Sequence, residues 1–254
     1  MARITEQASV TVAPTGSTGV QANEFEAAIK SVTSATTVGA VFVYDTRNDS
    51  DGGAWRKKTQ GLSWYDEDLN TATRGGRREF PSVAVIVVDN ATSGSVYGTV
   101  TIYDGDDPSL PMWRVYNNLV NNSMTGIYAL NGRVYVSAIT TTQGGGLYYL
   151  DFVNDFSARQ TDDAGKNAWN HYVQLANSTY QTTPNFWGGP LVNISVNDVA
   201  ATIVEGSEIG ALGLPIPTIA CASDGGVSVI YPNGNVYDIA GTGQTHDDVK
   251  NVFF

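Results

Sequence analysis

Cysteine is nearly absent from this chain of 254 residues. Cys221 is the only one, so no intrachain disulfide can form. It sits in Thr218-Ile-Ala-Cys-Ala among small apolar neighbours, where a buried core thiol is expected rather than a reactive one. Histidine is almost as scarce. His171 and His246 are the only two, neither in a metal-ligand spacing, and no Gly-x-Ser-x-Gly elbow exists for a Ser-His-Asp site. Gly144-Gly145-Gly146 lacks the following Lys-Ser/Thr of a phosphate loop. No run approaches the roughly 18 apolar residues of a membrane span, and Met1-Ala-Arg-Ile-Thr-Glu-Gln lacks the apolar core of a signal peptide. A soluble protein made in a reducing cytoplasm is expected.

Positive charge is also short. The formal net charge of −11 argues against phosphate backbones and anionic membranes as partners. Half of the fourteen basic residues (Arg47, Arg56, Lys57, Lys58, Arg74, Arg77 and Arg78) crowd one stretch, but Asp66, Glu67, Asp68 and Glu79 share it. That is a mixed-charge loop, not a basic groove. No nucleic acid, membrane, metal or cofactor is called for, and no catalytic residue can be named.

What the chain does have is glycine, twenty-seven of them, and a repeated pattern. Pro81-Ser-Val-Ala-Val-Ile-Val-Val-Asp is followed by Gly98-Thr-Val-Thr-Ile-Tyr-Asp. Gly126-Ile-Tyr-Ala-Leu-Asn-Gly-Arg-Val-Tyr-Val-Ser-Ala is followed by Gly144-Gly-Gly-Leu-Tyr-Tyr-Leu-Asp-Phe, and Pro217-Thr-Ile-Ala-Cys-Ala-Ser-Asp by Gly225-Gly-Val-Ser-Val-Ile. An apolar strand, a polar turn and a second strand rich in Val and Tyr recur. Such units predict an all-β fold, a β-propeller or part of one built from short antiparallel strands. Strands are predicted at 41–45, 54–59, 83–89, 98–104, 111–116, 124–129, 133–139, 146–152, 191–196, 199–204, 217–222, 226–230 and 235–239, with another beginning at 249. Asn131-Gly132 is the strongest hairpin signal, Asn233-Gly234 the next. About fifteen candidate strands at four per blade give about three to four blades, at or below the lower limit for a closed propeller. A strand at 249–254 needs covering by ring closure, another subunit or further polypeptide, and the last is the expectation.

Residues 1–38 differ from the β region of 39–254. They read as a docking arm, with alternating Val10 and Val12 and a helical turn placing Phe25 and Ile29 on one face. These four residues are the expected contacts to a partner, with the arm packing on that partner rather than on its own β domain. Residues 153–190 form a polar excursion studded with aromatics, in which Trp169 and Trp187 are candidates for sugar stacking. Trp55, Trp64, Trp113, Tyr148 and Tyr149 are expected to pack between sheets. Two acidic turns, Asp45 to Asp51 and Asp104 to Asp107, have the oxygen density of calcium loops but lack the spaced bidentate Glu; they are read as turns. Paired carboxylates for glycoside hydrolysis would be invisible at this level.

Several strings are less generic: Trp55-Arg-Lys-Lys-Thr-Gln, Ser63-Trp-Tyr, Leu69-Asn-Thr-Ala-Thr-Arg-Gly-Gly-Arg-Arg-Glu-Phe-Pro81, Thr101-Ile-Tyr-Asp-Gly-Asp-Asp-Pro-Ser-Leu-Pro-Met-Trp113 and Gly213-Leu-Pro-Ile-Pro-Thr-Ile-Ala. They resemble a family of large structural proteins of marine bacteriophages, described as tail-fibre or virion structural proteins, over about residues 40–254. The resemblance implies a propeller-like region of a virion appendage, assembled in the host cytoplasm and ending in the tail. It implies other tail or portal-proximal proteins and copies of the chain itself as partners. It carries over no catalytic residue. The alternatives are a glycan-binding module or a polysaccharide hydrolase of such an appendage, acting in host attachment.

Overall fold

A computed structural model of the chain describes residues 3–6 (backbone only), 28–32, 37–90, 98–120, 123–139, 144–163, 189–240 and 248–254. Among them lie thirteen strands in three sheets. The first sheet is a meander of β2 (Val38–Asp45), β3 (Val83–Asp89), β4 (Gly98–Asp104) and β5 (Met112–Val120). The second runs β6 (Ser123–Leu130), β7 (Arg133–Ile139), β8 (Gly146–Asp151) and β9 (Phe156–Gln160). The third runs β10 (Val196–Thr202), β11 (Thr218–Ser223), β12 (Gly226–Ile230) and β13 (Val236–Ile239). Each meander is antiparallel throughout; β1 (Arg3–Glu6) joins the first sheet alongside β2, in parallel. The fold is all-β.

Inner strands such as β3 are apolar at nearly every position because both of their faces are covered. In β3, residues Ala84 to Val88 are all buried: Ala84, Ile86 and Val88 face the second sheet, Val85 and Val87 the opposite side. The sheets stack in sequence order, β6 lying between β2 and β10. One core fills the space between the first two sheets and a second core, with Tyr135, Leu147, Tyr149, Ile219 and Cys221, the space between the last two. A third, smaller cluster lies behind the first sheet. There Val41, Val43, Val85, Val87 and Leu110 are covered by Ala28, Ile29 and Val32 of a short helix, α1 (28–32).

The first strand of each sheet carries a bulge near its start, at Gly39, Thr125 and Asn197. A bulge bends its strand and sharpens its twist, letting the next sheet come close. At Gly39 the approach is so close that a Cβ would lie 2.4 Å from the Met124 carbonyl oxygen. Only glycine fits there. Asn131 and Gly132, both at positive φ (51° and 71°), close the two-residue turn between β6 and β7.

Five sequence expectations change. Trp55–Lys58 is not a hairpin strand but a helical turn, α2, followed by a second, α3 (Ser63–Asp66). With one apolar residue and three cations, Trp55-Arg-Lys-Lys has no face to lay on a sheet, while cations suit a helix C-terminus. Of the predicted strands at 191–196 and 199–204, residues 191–195 are irregular and a single strand, β10, runs Val196–Thr202, the polar Asn197 and Asp198 sitting at its bulge without ending it. The strand β9 went unseen inside the polar excursion, because its Ser, Arg and Gln are buried by hydrogen bonding rather than by apolar character. Residues 249–254 make no ladder with a strand among the described residues. Finally, the described parts of the arm lie on this chain's own first sheet: Ile29 packs behind it and β1 pairs with β2. Val10, Val12 and Phe25 lie outside the described residues.

Candidate functional site

The irregular stretch between β2 and β3 is the centre of the largest core. Its helical turns insert Trp55 and Trp64 between the first two sheets, both fully buried, against Phe80, Trp113 and Phe152. Ring centroids lie 4.9–5.8 Å apart, mostly edge to face. Each such pair is worth about 0.5–1.5 kcal/mol beyond its buried area, so the cluster anchors the loop. Tyr148 and Tyr149 are buried as well, one in each core. All five aromatics expected between sheets are there.

Charge is drawn into this core. Arg74 is fully buried, its guanidinium 4.5 Å from the Trp113 ring centroid and donating to the carbonyls of Trp64, Arg77 and Arg78. Burial lowers its pKa to about 10, which leaves it charged at neutral pH. Arg114, also buried, pairs with Glu67 and lies over the Tyr116 ring. Arg56 reaches Glu79, Lys58 reaches Asp51, and Arg77 bridges Asp104 and Asp106. The crowded cations therefore pin a loop. Nothing in their sequence spacing distinguishes the buried Arg74 from exposed Arg78.

The polar network with the most convergent geometry surrounds Asp49. Its Oδ2 accepts from Tyr44 Oη (2.5 Å) and Trp55 Nε1 (2.8 Å), and its Oδ1 accepts from the Asn131 amide (2.7 Å). Tyr44 Oη in turn accepts from the Gly132 amide at 2.7 Å. Asn131 Oδ1 accepts from the Ser50 amide, while its Nδ2 donates to Ser50 Oγ and to the Pro215 carbonyl. Loop 46–53, the β6–β7 turn and the segment before β11 are thus tied together. Burial raises the Asp49 pKa to about 6, against the lowering effect of its three donors, and burial lifts Tyr44 well above its usual value.

Next to this network, Arg133 Nε donates to Asp151 Oδ2 at 2.9 Å, and both residues are buried. Burial opposes the Arg133 charge, but Asp151 outweighs it and the pKa rises. The pair opens on a cavity of about 20 Å³ between the second and third sheets, lined also by Tyr135, Tyr149, Ile219 and Tyr231. That volume holds a single water, not a sugar ring. An open depression of about 320 Å³ lies nearby, with Glu205 and Glu208 on one side and Tyr231 and Asn233 on the other.

The acidic turns are engaged by the chain itself. Asp45 caps Arg47 through its amide and holds its guanidinium, and Asp106 accepts from Ser82 and Val83 amides. Among the described residues no group of three or more His, Cys, Asp or Glu is placed to hold a metal ion. Cys221 is buried, and burial pushes its thiol pKa far up, so it is inert. No helix among the described residues is long and apolar enough to cross a membrane. Trp169, Trp187, His171 and His246 lie outside the described residues. Comparison with family models, with curated proteins and with solved structures finds no match to this chain.

Proposed function

We propose that the three meanders are consecutive blades of a propeller-like arc, and that the chain is a structural component of a bacteriophage virion, in a tail fibre or tail appendage. It works by holding neighbours through sheet surfaces and loops, with no turnover. Its partners are other tail or portal-proximal proteins and further copies of itself. The observation that supports this reading best is the repeated seat. The first two sheets each offer a face and the bulge of their first strand to the next sheet, so the chain is built as a series of units that seat a neighbour. The use of buried charges such as Arg74, Arg114, Arg133 and Asp151 in pinning loops and strands is consistent with a scaffold. The phage-like strings in residues 55–113 supply the virion context. Immunogold labelling with an antibody raised against residues 39–254 tests it on purified particles of the phage that encodes the chain. Gold on the tail appendage is expected; particles that carry no label, with the protein found only in the infected-cell lysate, would sink the virion role.

A further inference from the structure

Arg133 and Tyr135 lie two residues apart on β7 and so stand on one face of the second sheet, the face turned to the third. Arg133 donates through Nε to Asp151 and through Nη1 to the Asn131 carbonyl (3.3 Å). Its Nη2 makes no hydrogen bond to any described residue, although the side chain is only 6% exposed. Tyr135 is 1% exposed, its ring edge to face with Tyr149, and its hydroxyl makes no hydrogen bond to a described residue either. Both side chains line the cavity of about 20 Å³ between the second and third sheets. A buried N–H or O–H left unmet is costly, and native proteins meet it with a water or an ion.

The rest of the wall decides between those two. Asp151 is the only carboxylate lining the cavity, and its oxygens are taken. Oδ2 accepts from Arg133 Nε and from Asn154 Nδ2 (2.6 Å), and Oδ1 accepts from the Val153 and Asn154 amides, both at 3.0 Å. Tyr149 donates its hydroxyl to Gln160 Oε1. Phe156, Ile219 and Ile230 make much of the remaining lining apolar. The groups still to be met are Arg133 Nη2, which can only donate, and Tyr135 Oη. Burial lifts the Tyr135 pKa above its usual value, so the phenol keeps its proton and donates as well. Charge points the same way. Arg133 stays ionised, whereas Asp151 shares its charge among four donors. A guest in this cavity gains by accepting and by being negative, and it needs no protons of its own.

We propose that the cavity is a halide site, in which one chloride ion accepts from Arg133 Nη2 and Tyr135 Oη at the junction of the second and third sheets. The volume suits a monatomic ion close to water in size and excludes carboxylates, phosphate and sugars. Both donors belong to the second sheet, while Ile219 and Ile230 close the cavity from the third. A bound ion therefore fills the junction and stabilises it. The site stands on its own geometry and does not need the virion role.

Crystals of the 254-residue protein soaked in sodium bromide test it directly. An anomalous bromide peak is expected inside the cavity, within hydrogen-bond reach of Arg133 Nη2 and Tyr135 Oη. In solution, thermal unfolding is followed while sodium chloride replaces sodium gluconate at constant ionic strength, gluconate being too large to enter. Chloride at about five times its Kd should raise the melting temperature by about 2–4 °C, and the rise should saturate. Tyr135→Phe removes one donor and should weaken the apparent chloride affinity about tenfold. Arg133→Met with Asp151→Leu removes both charges while keeping apolar bulk, and should abolish the response. A cavity without a bromide peak, or a chloride response of equal size in the native protein and Tyr135→Phe, overturns the proposal. If the double variant does not fold, the bromide peak and Tyr135→Phe still decide it.

Discussion

Asp49 sets two effects against each other, and their balance is measurable. Three donors point at its carboxylate and favour the charged form, while its burial favours the neutral one. Burial wins, raising the pKa from the ordinary 3.8 to about 6. A group whose folded pKa lies above its unfolded value adds stability that is complete below the unfolded pKa and lost as pH rises through the folded one. Going from 3.8 to about 6 corresponds to roughly 3 kcal/mol between the two protonation states. Asp49→Asn removes the titration and keeps the shape. Urea unfolding of both proteins from about pH 4 to pH 8 then isolates the term, because other titrating groups cancel in the difference. The stability of the native protein relative to the Asn variant should fall by roughly 2.5 kcal/mol over that window, most of it between pH 4 and 7, the remainder of the roughly 3 kcal/mol lying below pH 4. A constant difference would mean that burial and donors cancel. A difference that grows with pH would mean that the donors prevail and the carboxyl is depressed, refuting the reasoning.

Other outcomes follow from contacts of the same kind. Asp151→Asn leaves Arg133 a buried cation without its counter-ion and should cost about 3–5 kcal/mol, whereas Arg133→Met with Asp151→Leu should recover most of that loss in urea unfolding. Gly39→Ala puts a methyl 2.4 Å from the Met124 carbonyl oxygen. It should cost about 1–3 kcal/mol, while Gly52→Ala, with open space around it, should lose less and only through its positive φ. A chelator should leave the melting temperature unchanged, since Asp45, Asp49 and Asp51 already answer to Arg47, Tyr44, Trp55 and Lys58; a drop reversed by calcium would refute this.

Strand existence was legible wherever a strand is apolar on both faces. The predicted 83–89, 98–104, 133–139 and 226–230 coincide with β3, β4, β7 and β12 because their Val and Ile runs sit between turn residues. What was not legible is burial achieved by polar pairing. In β9, Arg159 donates to the Gly145 carbonyl and Gln160 to the Gly189 carbonyl, so residues that read as solvent-facing are inside. Arg74 makes the same point more strongly. Its partners are carbonyls and an indole face, and backbone carbonyls leave no trace in sequence.

The Asp49 network shows where the limit lies for a site. Asn131-Gly132 was readable as a turn from its own residue types, since both need positive φ. Its second role, offering the Asn131 amide to Asp49 and Asn131 Oδ1 to the Ser50 amide, depends on loop 46–53 arriving from more than eighty residues away. The same long-range geometry converts the acidic turn from an oxygen-rich loop into an acceptor for indole, phenol and amide. Local spacing alone cannot separate those two uses of Asp49. The separation comes from how closely β2 and β6 approach, and the contact of Gly39 with the Met124 carbonyl is one point, at the far end of the two strands, where that approach is close. Gly39→Ala should therefore disturb Asp49 at a distance: if the sheets part, water reaches the carboxyl and its pKa moves back toward 3.8. The stability difference between Gly39→Ala with and without Asp49→Asn should then lose its pH dependence. If it keeps the full slope of the native background, the bulge does not govern the network.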